Sequence, residues 1–190
     1  MPCAHPVVVR RGRTIEKDSS GRIYNPAGSS FFLAPCGKCD YCKQQKLDGI
    51  VQRLQFEFDS TYQTLFVTYT YDDDHVCQNL SKSDAKTMIS DLKNTLNRAY
   101  GTWKDGRLAS SFKFKYFLVG EYGEKRGRVH MHLLLFLPKS VDWHLIQSSN
   151  RFGYICDIQV AGKGSLYYVA EYCKYSRTGS RIESNANQLI

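Results

Sequence analysis

The sequence predicts an α+β fold, in which helices pack on a central antiparallel sheet and a small cysteine-rich segment comes first. Two observations predict it. Apolar stripes at helical spacing alternate with short runs of β-branched and aromatic residues, and three cysteines fall within seven residues near the N-terminus. From the first strand onwards the predicted element order is βαββαβα, a split pattern typical of an antiparallel sheet covered by helices.

The 190 residues are enough for one domain with a small appendage. We expect an N-terminal cysteine-rich segment over residues 1–45, a main domain over 46–176, and a polar tail or linker over 177–190. Residues 1–35 show no regular pattern, so they are predicted to be irregular.

The first helix is predicted from Lys43 to about Asp59, where apolar residues recur at helical spacing. Its stripe comprises Leu47, Ile50, Val51, Leu54 and Phe58. Residues 65–71 follow as a strand because they are rich in aromatic and β-branched side chains, and this strand ends at the acidic turn 72–74.

The second helix has the clearest pattern, with a cap at Ser81 or Ser83 and an end at Gly101. Its stripe comprises Ala85, Met88, Ile89, Leu92, Leu96 and Ala99. Beyond it the sequence predicts two strands, 112–121 and 129–137, that form a hairpin. A short helix over 141–150, a fourth strand over 153–160 and a last helix over 165–175 follow.

The charge of the chain favours an anionic partner. A formal net charge of +8 with 13% aromatic residues suits nucleic acid, because basic groups contact phosphates and bases stack on exposed rings. The alternative is an ordinary basic protein. The longest apolar run, Leu133–Leu137, is too short to span a bilayer, and no secretory signal is visible. Seven cysteines without such a signal predict a reducing compartment, where thiols bind metal more often than they form disulfides.

His130 and His132 are candidate metal ligands in an otherwise apolar predicted strand. Successive strand side chains point to opposite faces, so both imidazoles share one face and could bind one ion. A carboxylate is expected as third ligand, and Glu121 ends the neighbouring strand of the hairpin. Two imidazoles and a carboxylate with open positions suit Mn²⁺ or Mg²⁺ bound to a phosphate oxygen. The alternatives are two hydrogen-bonded sheet histidines and a solvated turn glutamate.

A cluster of tyrosines lies in the last predicted helix. The apolar stripe of this helix comprises Leu166, Val169, Ala170 and Cys173. Tyr168, Tyr172 and Tyr175, at spacing i, i+4 and i+7, fall on the opposite side. A phenol near a metal-bound phosphate can act as a covalent nucleophile. The alternative is a stacking or surface ridge of rings.

Cys36, Cys39 and Cys42 have the spacing of metal ligands, and Cys3 could complete a site of four thiolates around one structural Zn²⁺. His5 is the substitute ligand if Cys3 is not used, and the alternative to the whole site is a set of free loop thiols. The other cysteines are predicted to be ordinary buried thiols: Cys77, Cys156 and Cys173.

With these motifs the chain resembles the HUH endonucleases, a family named for its His-hydrophobe-His motif that comprises rolling-circle replication initiators, relaxases and related transposases. Within the family it is most similar to the initiators of small single-stranded DNA phages of the microvirus type, particularly the gokushovirus-like group. Four segments carry the resemblance, in matching order and spacing over most of the chain: Cys3 with 35–42, then 66–73, then 120–123 with 128–132, and 168–172.

The resemblance implies an HUH/RRM-like sheet and an enzyme that nicks and rejoins single-stranded origin DNA to initiate rolling-circle replication. It implies that His130, His132 and Glu121 hold the divalent ion. It also implies that a helix tyrosine attacks a phosphodiester and stays joined to the 5′ phosphate, leaving a free 3′ hydroxyl.

Relatives with tyrosines four residues apart can alternate them between initiation and termination, which fits Tyr168 and Tyr172. Related initiators often carry a lysine three residues after the first tyrosine. This sequence has Glu171 there, and Lys174, one turn later, is the expected source of the positive charge.

The implied partners are single-stranded origin DNA and the host helicase and polymerase, in the cytoplasm of a bacterial host and without a membrane. Two alternatives remain at this point. One is a non-catalytic, zinc-containing module that binds single-stranded nucleic acid. The other is a plasmid initiator or transposase of the same superfamily, against which the cysteine cluster favours the phage interpretation. The chain could also be the nuclease domain of a longer protein.

Overall fold

The computed structural model describes residues 3–10, 16–17, 19–20, 23–24, 31–75, 81–122, 129–153 and 156–173. The chain divides into two compact units, Met1–Lys46 and Leu47–Ile190. The domain boundaries that we expect from the sequence, at residues 45 and 176, stay a prediction, and the expected tail over 177–190 lies outside the described residues.

The first unit contains short antiparallel strand pairs. Strand β1 (Val7–Arg10) pairs with β4 (Phe31–Ala34), and β2 (Glu16–Lys17) pairs with β3 (Ile23–Tyr24). The prediction that residues 1–35 are irregular is therefore wrong for these strands. Their apolar runs are too short to stand out in the sequence, and they become strands only by pairing with distant residues.

The described residues from 31 onwards contain four α-helices and one short 3₁₀-helix: α1 (Asp40–Ser60), the 3₁₀-helix (Asp73–His75), α2 (Lys82–Tyr100), α3 (Trp143–Ser148) and α4 (Lys163–Glu171). All four predicted helices are present. Ser81 is the N-cap of α2, since its side chain accepts a hydrogen bond from the backbone N–H of Asp84, and Gly101 ends the helix, as predicted.

The second unit is built on a four-stranded sheet in the order β10-β5-β9-β8, with every neighbouring pair antiparallel. Its strands are β5 (Gln63–Thr70), β8 (Lys115–Tyr122), β9 (Val129–Leu137) and β10 (Cys156–Val160). This sheet with its helices confirms the predicted α+β fold.

An exposed hairpin of β6 (Thr102–Lys104) and β7 (Arg107–Ser110) was not predicted from the sequence. Its signal was present, because Asp105-Gly106 is a favoured two-residue hairpin turn and both residues have positive φ angles, 49° and 71°.

The sheet buries both of its faces, which explains why β9 is apolar almost throughout. One face packs against α2 and α3 through a core that includes Leu65, Val67, Leu92, Leu133, Leu135 and Ile146. The other face packs against α4 and the part of α1 that belongs to this unit, through Leu47, Leu54, Phe117, Leu134, Leu166 and Val169. The candidate site lies on this second face. Among the described residues, no helix combines the length and the apolar character that crossing a bilayer requires.

Candidate metal and tyrosine site

Strand register brings the predicted ligands onto one face of the sheet. Glu121 on β8 lies directly opposite His130 on β9, and His132 lies two residues further along β9. On the other side of β9, β5 places Thr70 opposite His130 and Thr68 opposite His132. Residues directly opposite each other in an antiparallel pair share a face, so the two histidines, Glu121 and both threonines lie together.

His132 is the centre of this group, and both of its ring nitrogens are hydrogen-bonded. Nε2 lies 2.6 Å from Glu121 Oε2, and Nδ1 lies 3.0 Å from Thr68 Oγ1. Because an ionised carboxylate can only accept, Nε2–H donates to Glu121 and the Thr68 hydroxyl donates to Nδ1. Burial lowers the pKa of His132, and the hydrogen bond and negative charge of Glu121 oppose that shift only in part. The neutral imidazole is therefore favoured.

His130 is held in a similar way, with Nδ1 2.9 Å from Thr70 Oγ1. Its ring centroid lies 6.4 Å from that of His132. Within the described ranges, the four N-terminal cysteines form the one group of three or more His, Cys, Asp or Glu side chains close enough to share an ion. His130, His132 and Glu121 thus share a face without being gathered to coordination distance.

Helix α4 carries the two predicted tyrosines over His132. The Tyr172 O–H donates to the Tyr168 oxygen over 2.7 Å, and the Tyr168 O–H donates to Glu121 Oε2 over 3.3 Å. The Tyr168 ring meets the His132 ring edge-on with centroids 5.6 Å apart, and the Tyr172 ring stacks on it at 5.9 Å. A continuous chain of hydrogen bonds therefore runs from Tyr172 through Tyr168 and Glu121 to His132 and Thr68.

The position of the tyrosines follows from the apolar side of α4. The predicted stripe is buried in full: Leu166, Val169, Ala170 and Cys173. Anchoring this side against the sheet turns Tyr168, which is 44% exposed, towards the open part of the face. Tyr167 points elsewhere and is exposed without contacting Glu121 or His132 in any described hydrogen bond or ring pair. Lys174 and Tyr175 lie outside the described residues.

The pKa of Tyr172 is raised, first by burial and then by its hydrogen bond with Tyr168 and the proximity of Glu121. Its phenol is therefore protonated at neutral pH. A nucleophilic phenolate at this position requires an acceptor for the proton, and the hydrogen-bond chain leads to the Glu121 carboxylate.

The residues of β5 that support the histidines were not predicted from the sequence. Thr68 and Thr70 are bonded to the imidazoles, and the Phe66 ring stacks on His132 with centroids 5.4 Å apart. The sequence pattern that indicates them is their spacing of two residues, at positions 66, 68 and 70, which places all three side chains on one face of a strand. Only the pairing of β5 with β9 identifies that face as the one with the histidines.

The first unit holds the predicted cysteine group. The sulfur atoms of Cys3, Cys36, Cys39 and Cys42 all lie within 4.8 Å of one another. The sulfurs of Cys39 and Cys3 are 3.7 Å apart, and those of Cys36 and Cys42 are 3.9 Å apart. A tetrahedral zinc site with Zn–S bonds of 2.3 Å has sulfurs about 3.8 Å apart, so the geometry is consistent with a structural zinc site.

Backbone N–H groups surround these sulfurs, as a thiolate site requires. The N–H groups of Lys38 and Cys39 point to the Cys36 sulfur, each over 3.4 Å, and Gly37 between them has a φ of +72°. These donors lower the pKa of Cys36. The N–H of Cys42 and then that of Ala4 lower the pKa of Cys39 to about 6.

Cys42 differs from its neighbours, because burial raises the pKa of its thiol to about 12. Of the three cysteines predicted to be ordinary buried thiols, Cys173 is buried, Cys156 is half-buried, and Cys77 lies outside the described residues.

Comparison with known proteins finds related replication proteins. The family model described as "Replication-associated protein ORF2/G2P" matches residues 64–177. The chain is 27% identical over 169 residues to "Replication-associated protein ORF4" of Chlamydia phage 1, covering 78% of this chain and 40% of that protein. It is 34% identical over 137 residues to "Replication-associated protein VP4" of Bdellovibrio phage phiMH2K, covering 72% of this chain and 41% of that protein. The chain thus spans about two fifths of the length of these relatives.

Among solved structures, the chain is similar to the hypothetical protein ORF119 from Sulfolobus islandicus rod-shaped virus 1. The two share 15% sequence identity with a TM-score of 0.40, over 66% of this chain and 89% of that one.

Proposed function

Because the chain belongs to the replication-associated protein ORF2/G2P family, we propose that it initiates phage DNA replication by nicking and rejoining single-stranded origin DNA through a tyrosine. The observation that carries the proposal is the hydrogen-bond chain that joins two phenols to Glu121 and His132. It connects a candidate nucleophile, a proton acceptor and candidate metal ligands on one face of the sheet.

The proposed metal ligands are His130, His132 and Glu121, which would hold Mg²⁺ or Mn²⁺. The donor set fits: two imidazoles and one carboxylate share a face, and burial favours the neutral form of His132 that a ligand must have. A divalent ion held by these residues would polarise a phosphate oxygen and offset the charge that develops on it. If Nε2 bound the ion, Nδ1 would carry the proton and Thr68 Oγ1 would accept it.

The proposed nucleophile is the oxygen of Tyr168 or Tyr172. Its attack on phosphorus forms the bond to the 5′ phosphate and breaks the bond to the 3′ oxygen, which leaves as a 3′ hydroxyl after taking up a proton. The phenolic proton of Tyr168 can pass directly to Glu121, and that of Tyr172 can pass to the Tyr168 oxygen at the same time. Two linked phenols suit a strand-transfer cycle, in which one holds the 5′ end while the other cuts the regenerated origin.

Other parts of the chain have proposed supporting roles. We assign to Lys174 a positive charge beside the reacting phosphate, and to the four cysteines a structural Zn²⁺ that stabilises the first unit. The proposed partners are single-stranded origin DNA, which the net charge of +8 favours, and the helicase and polymerase of a bacterial host in its cytoplasm.

The proposal is tested by incubating the chain with labelled origin single strand and Mn²⁺ and running a denaturing gel. The wild type should give a covalent protein–DNA adduct, and the double variant Tyr168→Phe/Tyr172→Phe should give none. Tyr167→Phe is the matched control on the same helix and should form the adduct at the wild-type rate. DNA binding by the wild type without any adduct would support the non-catalytic binding module instead.

A further inference from the structure

A groove of about 860 Å³ lies at the end of β8 far from the tyrosine site. It is formed by the end of α1 and the residues after it, by one side of α2, and by the segment 111–115 that leads into β8. Lys115 at this end of β8 is six residues from Glu121, which corresponds to about 20 Å along a strand. No part of the proposed nicking mechanism uses this groove.

A row of aromatic side chains supports the groove. The ring centroids of Tyr100, Phe112, Phe114 and Tyr116 follow one another at 5.4, 6.2 and 6.4 Å. All four rings are half-buried and pack against the core, so the row is a rigid base.

The row holds two lysine ammonium groups at fixed positions. Lys139 Nζ lies 4.7 Å from the ring centroid of Tyr100 and 5.6 Å from that of Phe112. Lys93 Nζ lies 5.4 Å from the centroid of Tyr116. Both lysines are exposed, so a cation–π contact on one side leaves each ammonium open to an anion on the other.

The charge of the groove is positive. Its described lining includes Lys93, Lys113 and Lys115, and Glu57 is the one acidic residue of that lining. Both Glu57 carboxylate oxygens bind Lys115 Nζ, at 2.8 and 2.7 Å. The negative charge of Glu57 therefore offsets the positive charge of Lys115, and the positive charges of Lys93 and Lys113 are not offset by another acidic residue of the described lining. Tyr62, at the rim, is 73% exposed and offers an uncovered ring.

We propose that this groove is a second binding site for the single-stranded DNA substrate, which it holds about 20 Å from the tyrosines. The proposal rests on the proposed function, because it takes its ligand from there. Phosphates bind the ammonium groups of Lys93 and Lys113 in the lining, a base stacks on Tyr62, and Lys139, which packs on Phe112 of the lining, adds positive charge nearby. Positive charge combined with an exposed ring is the chemistry by which proteins bind single strands without reading their sequence.

The test measures the affinity of the full chain for oligothymidine of about 24 nucleotides by fluorescence anisotropy at several salt concentrations. Lys93→Gln/Lys113→Gln should lower the affinity about tenfold and reduce the salt slope by about 1.4, the value for two lost contacts to single-stranded phosphates. Tyr62→Ala should lower the affinity at least about fivefold at every salt concentration, because it removes the ring on which a base stacks. The control, Lys86→Gln/Lys104→Gln, removes the same charge from exposed sites outside the groove and should bind within about twofold of the wild type.

Wild-type affinity and salt slope in the groove variants would overturn the proposal, as would a loss seen only with duplex DNA. The origin adduct, measured in parallel, separates this proposal from the proposed function. If the adduct forms while the groove variants bind normally, only the groove proposal fails. If no adduct forms while they bind oligothymidine weakly, only the nicking function fails.

Discussion

His132 has both ring nitrogens in hydrogen bonds, and this makes it the residue on which the site depends most. Thr68 fixes one side of the ring and Glu121 the other, while Phe66 and Tyr172 stack on its faces. A ring held on all sides cannot rotate away from the open part of the sheet face. The geometry at the site is therefore set largely before a substrate or an ion binds.

Loss of His132 should separate binding from chemistry. His132→Ala removes a proposed metal ligand and the partner of Glu121, so nicking should fall below detection. Affinity for single-stranded DNA should stay within about twofold of the wild type, because it comes mostly from basic groups on phosphates. His144→Ala, which removes an exposed histidine of α3, is the control and should leave both measurements unchanged. Normal nicking by His132→Ala at ordinary metal concentrations would refute the assignment.

Thr68 should act through His132. Thr68→Val removes the hydroxyl at Nδ1, so Mn²⁺ affinity, measured on the DNA-free chain by electron paramagnetic resonance, should fall about 10- to 100-fold. Thr68→Ser should retain most of the affinity. Thr64→Val is the matched control on the same face of β5, because Thr64 Oγ1 is buried and lacks a hydrogen-bond partner among the described residues. Equal Mn²⁺ affinity in Thr68→Val and Thr64→Val would refute this role.

Helix α4 shows how far an element can be predicted from its own sequence. The buried stripe follows from helical spacing alone, and the structure has it. Tyr168 and Tyr172 were predicted to lie opposite this stripe, but both rings contact His132 on the sheet face that the stripe covers, and Tyr172 also packs against the same core. The contacts of Tyr168 with Glu121 could not be predicted in the same way, because they depend on how α4 crosses β8 and β9. The β1–β4 pair was missed for a related reason, since short strands are recognised by their distant partners.

The cysteine element should bind zinc and lose it with acid. We expect about one zinc per chain by elemental analysis of protein purified without chelator. Acid protonates the thiolates that bind the ion, so zinc should be released as the pH is lowered, and the bound ion moves this release to a lower pH than the thiols alone would show. Cys39→Ser should lose the metal, while Cys156→Ser, outside the group, should keep it. Well-folded protein without zinc would contradict this assignment.

At the level of the whole molecule, the sequence predicted the α+β class, the helices of the second unit and the hairpin that carries Glu121 and His130. These follow from periodicity and local turn chemistry. Thr68, Thr70 and the aromatic–lysine groove could not be predicted, since each joins residues more than thirty positions apart or several separate elements. The roles of the site residues stay predictions until the chemistry is measured.

Tyr168 and Tyr172 are the proposed nucleophiles, and peptide mapping of the covalent adduct shows which tyrosine carries the DNA. The wild-type chain is reacted with origin single strand and Mn²⁺, the DNA is trimmed by nuclease, and tryptic peptides are sequenced by mass spectrometry. We expect a nucleotide on Tyr168 or Tyr172, with Tyr172 favoured for the first cut, and transfer to the remaining tyrosine when either is changed to Phe. A nucleotide on Tyr175, on Tyr167 or on no tyrosine at all would contradict it.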